Sequence, residues 1–540
     1  MNTLTGTRRL TRLALQRDWI NLSAWIVGLS AFTGATAALW IDSFRGPADL
    51  LQEAQLTATN PGIRMLGLAS GPTVGGYTMV RDYVLLAVLA ALMSTFAVVR
   101  NTRQNEETGR AELVGAAVVG RHAGLVAALI VTVGANAVLA GALGLAMTLA
   151  GLPAAGAFTA GIAVAAVGVA FAGVAAVTTQ LSSTTRGASG LAAAVLAVAF
   201  LASGISNMAG NTDASGTSVT SAWPTWLSPI GWGQQMRPFN GDRWWLIGLT
   251  AILFLACAAA AAVLTNQRDI GRGVLVQHGG PANAGLSLRS PVGLVWRLQR
   301  GTLLGWAVGM LAFGLVMGGM IGQVQDMTGA AREWYTRMGG SEQFLDAYRA
   351  SLMQMAGIAA AIYVVQVLLR MRAEESDGTL EPLLATAISR PRWVASHALN
   401  ALFGATALLV LFGVGAGLAS GAVLGNPVGE SRTLIGAGLV QLAGVLVVGA
   451  LVIAAVALLP RFAGAVSWAL LMAFILLGPL FGNTLQAPQW AKDLSPFSHV
   501  PKVPAVPIEA GPVVGLAAVV IASATVGVVM LRRRDLALPA

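Results

Sequence analysis

EESDGTLEPLLATAISRPRW (residues 374–393) lies between two stretches of almost pure hydrocarbon, and NEETGRAELVGAAVVGRH (residues 105–122) holds the same position earlier in the chain. Shifted by 269 positions the two align without a gap: Arg103 falls on Arg372, Glu106 on Glu375, Gly109 on Gly378, Glu112 on Glu381 and Arg121 on Arg390. A second match pairs Trp223-Pro-Thr-Trp-Leu-Ser-Pro229 with Trp490-Ala-Lys-Asp-Leu-Ser-Pro496, a shared W-x3-L-S-P. A third sets RLALQRDW (12–19) against WRLQRGTL (296–303). Polar segments that agree in charge, spacing and order along the chain point to a tandem duplication.

What is duplicated is a membrane unit. Of the 540 residues 56% are hydrophobic and only 10% charged, against roughly 25% charged in a soluble domain, and the mean hydropathy is +0.71. Apolar runs long enough to cross a bilayer predict twelve spans, near 20–41, 83–99, 123–149, 156–179, 188–208, 244–264, 302–322, 352–369, 398–422, 434–459, 463–482 and 512–531. Backbone polar groups in lipid must be satisfied within the segment, so the spans are expected as helices. The fold class is all-α integral membrane, twelve helices as two six-helix repeats. The expected halves are 1–264 and 301–540, joined by a linker over 265–300 with HGGPANAG in its middle.

Most of the 33 Lys and Arg residues fall in the N-terminus, in 100–122, 180–187, 265–300, 370–397 and 460–462, and in the tail. These segments lie on one side of a twelve-span topology, so the positive-inside rule predicts both termini in the cytoplasm. The net charge of +10 is thereby a topology signal and not a nucleic-acid footprint. Met1–Arg17 is polar and basic and runs straight into a long span, unlike a cleavable signal peptide. The lone Cys257 lies in an apolar run, which excludes disulfides and thiolate metal sites.

Within the twin segments, Leu380, Leu383, Leu384, Ala387 and Ile388 recur at helical spacing, as do Ala111, Val114, Gly115, Val118 and Val119. Each stripe follows a glycine that permits a sharp turn, and each has a glutamate where a helix dipole favours negative charge. Pro382 is tolerable in a first turn. The pattern predicts a short amphipathic helix over 378–390, and its twin, with acids in water and an apolar side on lipid or on a partner. It serves either as a connector or as a docking handle, and two equivalent copies favour the handle.

The second segment resembles the cytoplasmic loop of ABC-2-type transporter permeases, E-x-E-x-G-T-L-E-x-L-L-x-T-P-I-S-R. Glu374, Gly378, Thr379, Leu380, Glu381, Leu383, Leu384, Thr386, Ile388, Ser389 and Arg390 match; Ser376 and Ala387 depart. The first copy keeps Glu107, Gly109, Glu112 and Arg121 but has Arg110-Ala111 for Thr-Leu. RNTRQNEETGRAEL, WLSPIGWGQQMRPFNGDRWW and LRSPVGLVWRLQRG are similar to actinobacterial exporters of polyketide antibiotics, the tetronasin-type multidrug group. The resemblance implies a type V (ABCG-like) exporter fold in the bacterial inner membrane. It implies a lipophilic or amphipathic passenger and two copies of a separate ATP-binding subunit that carries ATP and Mg2+. It further implies that Glu106, Glu107, Gly109, Arg110, Glu112, Glu374, Glu375, Gly378, Glu381 and Arg390 couple to that subunit. Arg8, Arg9, Arg12 and Arg17, with Arg297 and Arg300, would belong to elbow helices that precede each half.

No G-x-x-x-x-G-K-[ST] loop occurs, and the only lysines are Lys492 and Lys502, so no phosphate loop cradles a nucleotide in this chain. Two rivals stand beside an ATP-driven permease. An ion-coupled carrier of the major facilitator kind needs ionisable groups at membrane depth, and the twelve spans as bounded above contain none; RQNEETGRAEL has only a fragment of that superfamily's loop pattern. A membrane transferase acting on lipid-linked substrates would need an acid pair, yet Asp42, Asp49 and Glu53 are spaced like a solvated helix, and the four histidines show no metal-ligand spacing. The expectation is no catalytic residue, no metal and no cofactor in this chain.

The loops 209–243 and 483–511 carry the W-x3-L-S-P repeat. Trp223, Trp226, Pro229, Trp490 and Pro496 are candidates for an outer gate, with an interfacial aromatic belt as the plainer reading. By the resemblance, these loops dip back between the fifth and sixth spans. The Ala/Gly/Val/Leu spans suit a lipophilic passenger and equally suit close helix packing.

Overall fold

The computed structural model describes residues 3–44, 46–59, 61–269, 271–275, 283, 285–324, 344–479, 488–507 and 509–535. Among these, eleven helices are long and apolar enough to cross a membrane. In the first half they are Thr7–Ser43, Val74–Glu107, Ala123–Leu149, Ala154–Leu181, Thr185–Met208 and Leu246–Asn266. In the second they are Pro291–Gly319, Phe344–Ser376, Arg390–Leu424, Pro427–Leu458 and Ala510–Arg533. At the eleventh expected position stands a shorter apolar helix, Ala463–Leu477; the end of that expected span lies outside the described residues. Helices are numbered below by their place among the six of each half.

The chain divides into two compact units, Met1–Gly279 and Gly280–Ala540, so the first residues of the expected linker belong to the first unit. Within each unit the first span packs on the third, and the fourth packs on the second, third and sixth. Small residues allow the close crossings. A Cβ on Gly314 or Gly318 would lie 2.5 or 2.2 Å from the carbonyl oxygens of Phe412 and Ala416, so first and third spans of the second unit meet backbone to backbone.

Helix starts share a device. Thr73, Thr184, Ser228, Ser290 and Asn426 each accept, through the side chain, an N–H from the glycine three residues on. At Ser228, Ser290 and Asn426 the next residue is a proline in the first turn, where its missing N–H costs nothing.

Several helices begin before the apolar run does. The second span starts at Val74, not 83; the eighth helix of the expected twelve starts at Phe344, not 352; the tenth starts at Pro427, not 434. The added turns carry charges, which corrects the expectation of spans without ionisable groups. They persist because the charges are partnered. Arg349 forks onto Glu430 at 2.7 and 3.1 Å and reaches Asp346 at 2.8 Å. Arg81 donates to the Tyr77 hydroxyl at 2.9 Å and lies 3.6 Å from Glu53. Asp82 is buried and accepts from the Thr36 hydroxyl at 2.5 Å.

Between the first two spans, helices Pro47–Thr59 and Pro61–Leu66 form a small cap with the strand pair Asn211–Thr212 and Val219–Thr220. Ala58, Leu68, Ala69 and Val219 fill it. In its loop Asp213 is held below the ordinary carboxylate range by the Ser215 hydroxyl and the amides of Ser218 and Thr217.

Candidate functional site

The twin segments fold as two hairpins, each between the second and third spans of its own unit. In the first, helix Arg103–Glu107 leads to Gly109 in the left-handed region (φ 73°) and then to helix Arg110–Gly115. In the second, helix Arg370–Ser376 leads to Gly378 (φ 71°) and helix Leu380–Leu384. The helix expected over 378–390 is thus shorter. It ends at Leu384, and Ser389 is extended as the cap of the next span, with Pro391 in that span's first turn.

The acids do not all stay in water, a second correction. Glu106 receives Arg268 on both oxygens at 2.6 and 2.8 Å, Arg103 at 2.7 Å and the Gly271 amide at 3.1 Å. Glu375, buried, receives Arg534 at 2.8 Å with Arg372 at 3.4 Å. Glu374, also buried, accepts from the Trp393 indole at 3.0 Å and from Arg370 at 3.2 Å, and lies 3.2 Å from His397 Nε2. Glu107 accepts the amide and hydroxyl of Thr185. A carboxylate at a helix base is tolerated out of water only with such partners. Most sit far away in sequence, so spacing alone could not reveal them.

Arg121 and Arg390 close the hairpins. Arg121 donates to the carbonyls of Thr265 (2.8 Å) and Arg268 (3.0 Å), and Arg390 to those of Leu531 (2.9 Å) and Arg534. Exposed on the hairpins are Glu107, Arg110, Glu112 and Glu381, with Leu113 and Val118 at 79% and 68% exposure. In the second hairpin Leu380 is buried and Leu384 and Ile388 pack on their own unit's core. Its apolar stripe is therefore largely consumed within the chain, whereas the first presents apolar side chains outward.

Of the elbow residues, Arg17 turns inward, donating to Asn105 (2.7 Å), Asn101 (2.8 Å) and the Arg100 carbonyl (2.9 Å). Its neighbour Asp18, which sequence reasoning passed over, is fully buried between Arg100 (3.0 Å) and Asn101 (2.6 Å). Arg8, Arg9, Arg12, Arg297 and Arg300 are exposed. In the second half the inward place goes to Gln299, which accepts from Asn400 at 2.6 Å and donates to the Val367 carbonyl. The shared Q-R in RLALQRDW and WRLQRGTL marks the place, but its inward member differs, Arg17 in the first half and Gln299 in the second.

At the far end, Trp223, Trp226 and Trp490 are exposed, and Pro229 and Pro496 are buried. The repeated serine does the same work twice: Ser228 donates to the Ala199 carbonyl at 2.6 Å and Ser495 to that of Phe474 at 2.9 Å, each on the fifth helix of its half. Helix Pro229–Gln235 is buried against the second, fourth and fifth spans. Tyr83 donates to Ile230 O, and Gln234 accepts from Ser203 and Asn207 at 2.8 Å each. Among the described residues no three His, Cys, Asp or Glu side chains gather as a metal site.

Among the described residues, eleven long apolar helices in two units of like packing define an all-α, multi-pass integral membrane protein. The chain is 37% identical over 546 aligned residues to "Multidrug efflux system permease protein Rv1217c" of Mycobacterium tuberculosis (strain ATCC 25618 / H37Rv), covering 98% of this chain and 95% of that protein. Residues 288–532 match the family described as "Multidrug efflux system permease Rv1217c, C-terminal domain". The chain belongs to this family of multidrug efflux permeases.

Proposed function

We propose that this chain is the membrane subunit of an ATP-driven exporter of the ABC-2 type, moving lipophilic or amphipathic compounds out of the cell. Two copies of a separate ATP-binding subunit, with ATP and Mg2+, dock on the paired hairpins, which face the cytoplasm together with both termini. The observation that carries the reading is the hairpin pair itself: the same helix, left-handed glycine and second short helix twice, each between the second and third spans of its unit. Docking falls to the residues left exposed, Arg110, Glu112, Leu113, Val118 and Glu381, while Gly109 and Gly378 set the turn. The absence of a phosphate loop from the sequence assigns hydrolysis to the partner. Closure of the partners then draws on the hairpins and rocks the helices continuous with them.

The test is to purify the tagged chain from its own cells. An ATPase with a phosphate loop should come with it, and ethidium efflux should fail on ATP depletion. One observation favours the ion-coupled carrier instead: Asp82, a buried carboxylate with Thr36 as its hydrogen-bond donor. Uphill movement by the chain alone in vesicles, driven by an ion gradient, would establish that second reading.

A further inference from the structure

Both ends of each hairpin grip the same place. In the first half, Glu106 at the near end binds Arg268, and Arg121 at the far end donates to the carbonyls of Thr265 and Arg268. His122 adds a contact of 3.1 Å with Asn266. Residues 265–268 are the last turn and exit of the sixth span, Leu246–Asn266. In the second half, Glu375 binds Arg534, and Arg390 donates to the carbonyls of Leu531 and Arg534. Those residues end that half's sixth span, Ala510–Arg533. Arg103 and Arg372 stand on the other side of each carboxylate at 2.7 and 3.4 Å.

We infer that each hairpin is a staple on the cytoplasmic end of its own sixth span, and that the sixth span is the element that follows the hairpin when it is displaced. The second and third spans follow by covalent continuity; the sixth has no such link. Within its unit it packs mainly on the fourth span and turns most side chains outward, with Leu246, Thr250 and Ala261 buried in the first half and Leu516, Gly527 and Leu531 in the second. Charge-assisted bonds to a carboxylate are strong and geometrically specific. A guanidinium on terminal carbonyls both satisfies those groups and complements the helix dipole. Packing on the fourth span holds the sixth along its length, and the staple joins its inner end to the hairpin. Glu106 and Glu375 are thereby positioning residues and not contacts of the docked subunit.

This rests on the docking reading of the hairpins, and the experiment separates the two. In the intact complex, Glu106→Gln and Glu375→Gln together remove both charges while keeping shape. The expected result is normal membrane accumulation, an ATPase that still co-purifies and still hydrolyses ATP, and ethidium efflux lowered about tenfold or more. Efflux equal to wild type, or loss of the ATPase from the preparation, overturns the staple. If that variant does not accumulate, Arg268→Gln with Arg534→Gln is read by the same criteria. A direct measurement needs neither variant. With Cys257→Ala, spin labels at Ala116→Cys and Gln267→Cys should keep one separation with and without nucleotide. A change of more than about 5 Å, one helical turn, means that the two elements part and the proposal fails. If the unmutated chain brings down no ATPase, the docking reading falls by itself, and the label pair, measured with and without ethidium, still decides the staple.

Discussion

Gly109 and Gly378 adopt φ near +70°, and a Cβ on either would meet nothing within 4 Å. Their requirement is therefore backbone conformation alone, which costs an L-residue about 1–2 kcal/mol in the left-handed region. Gly378→Ala should lower the thermal midpoint of the purified chain slightly, Gly378→Val more, and Gly378→Asn least, since asparagine tolerates that region. Equal midpoints for all three would show that the turn rearranges freely. Gly233 is a different case, because a Cβ there would lie 1.9 Å from the Tyr83 hydroxyl. Asp18 offers a sharper test. It is fully buried against Arg100, whose own side chain is 27% exposed, so part of the cost of stranding that arginine is relieved by water. Asp18→Ala is expected to destabilise the first unit by about 2 kcal/mol, measured by thermal unfolding, with the exposed Arg300→Ala near neutral as a control. The turn glycines were legible because a left-handed turn selects glycine within four letters of sequence. The fates of Glu106 and Glu375 were not, because ion pairing with Arg268 and Arg534 is a property of the folded bundle.

The hairpins differ as elements although their letters align. In the second, Leu380, Leu384 and Ile388 pack on the unit's own core; in the first, Leu113 and Val118 point outward. Exposed apolar side chains flanked by Arg110 and Glu112 suit burial against another protein. Leu113→Ser should reduce the ATPase recovered with the tagged chain severalfold while leaving the amount of chain in the membrane unchanged, because the side chain supports nothing inside its own unit. Undiminished recovery would move the docking surface elsewhere. Periodicity could find both stripes but could not tell which one the chain would cover itself, since coverage depends on how the flanking spans pack. Helix starts were misjudged for a related reason. Hydropathy marks where hydrocarbon begins, whereas Thr73, Asn426 and their capped glycines mark where the backbone helix begins, and paired charges such as Arg349 with Glu430 fill the interval.

At the scale of the whole molecule the open question is the source of energy, and Asp82 bears on it. The twelve apolar runs hold no acid, base or guanidinium, which argued against proton coupling; the second span as folded begins earlier and brings Asp82 about 12 Å along the helix at 1.5 Å per residue. The buried acids Asp18, Glu374 and Glu375 are each paired with an arginine. Asp82 instead accepts from Thr36 on the first span, joining the second span to the first. A carboxylate that only ties two helices together is replaceable by an amide of the same shape, because Asn can still accept from Thr36. A carboxylate that carries a proton through the transport cycle is not, because Asn cannot titrate. If the ATP-binding subunit supplies the energy, Asp82→Asn should sustain ethidium efflux within about twofold of wild type, and that efflux should survive a protonophore as long as ATP is maintained. Loss of efflux in Asp82→Asn with undiminished accumulation and ATP hydrolysis, together with collapse of wild-type efflux under the protonophore, would transfer the driving role from the hairpins to this residue.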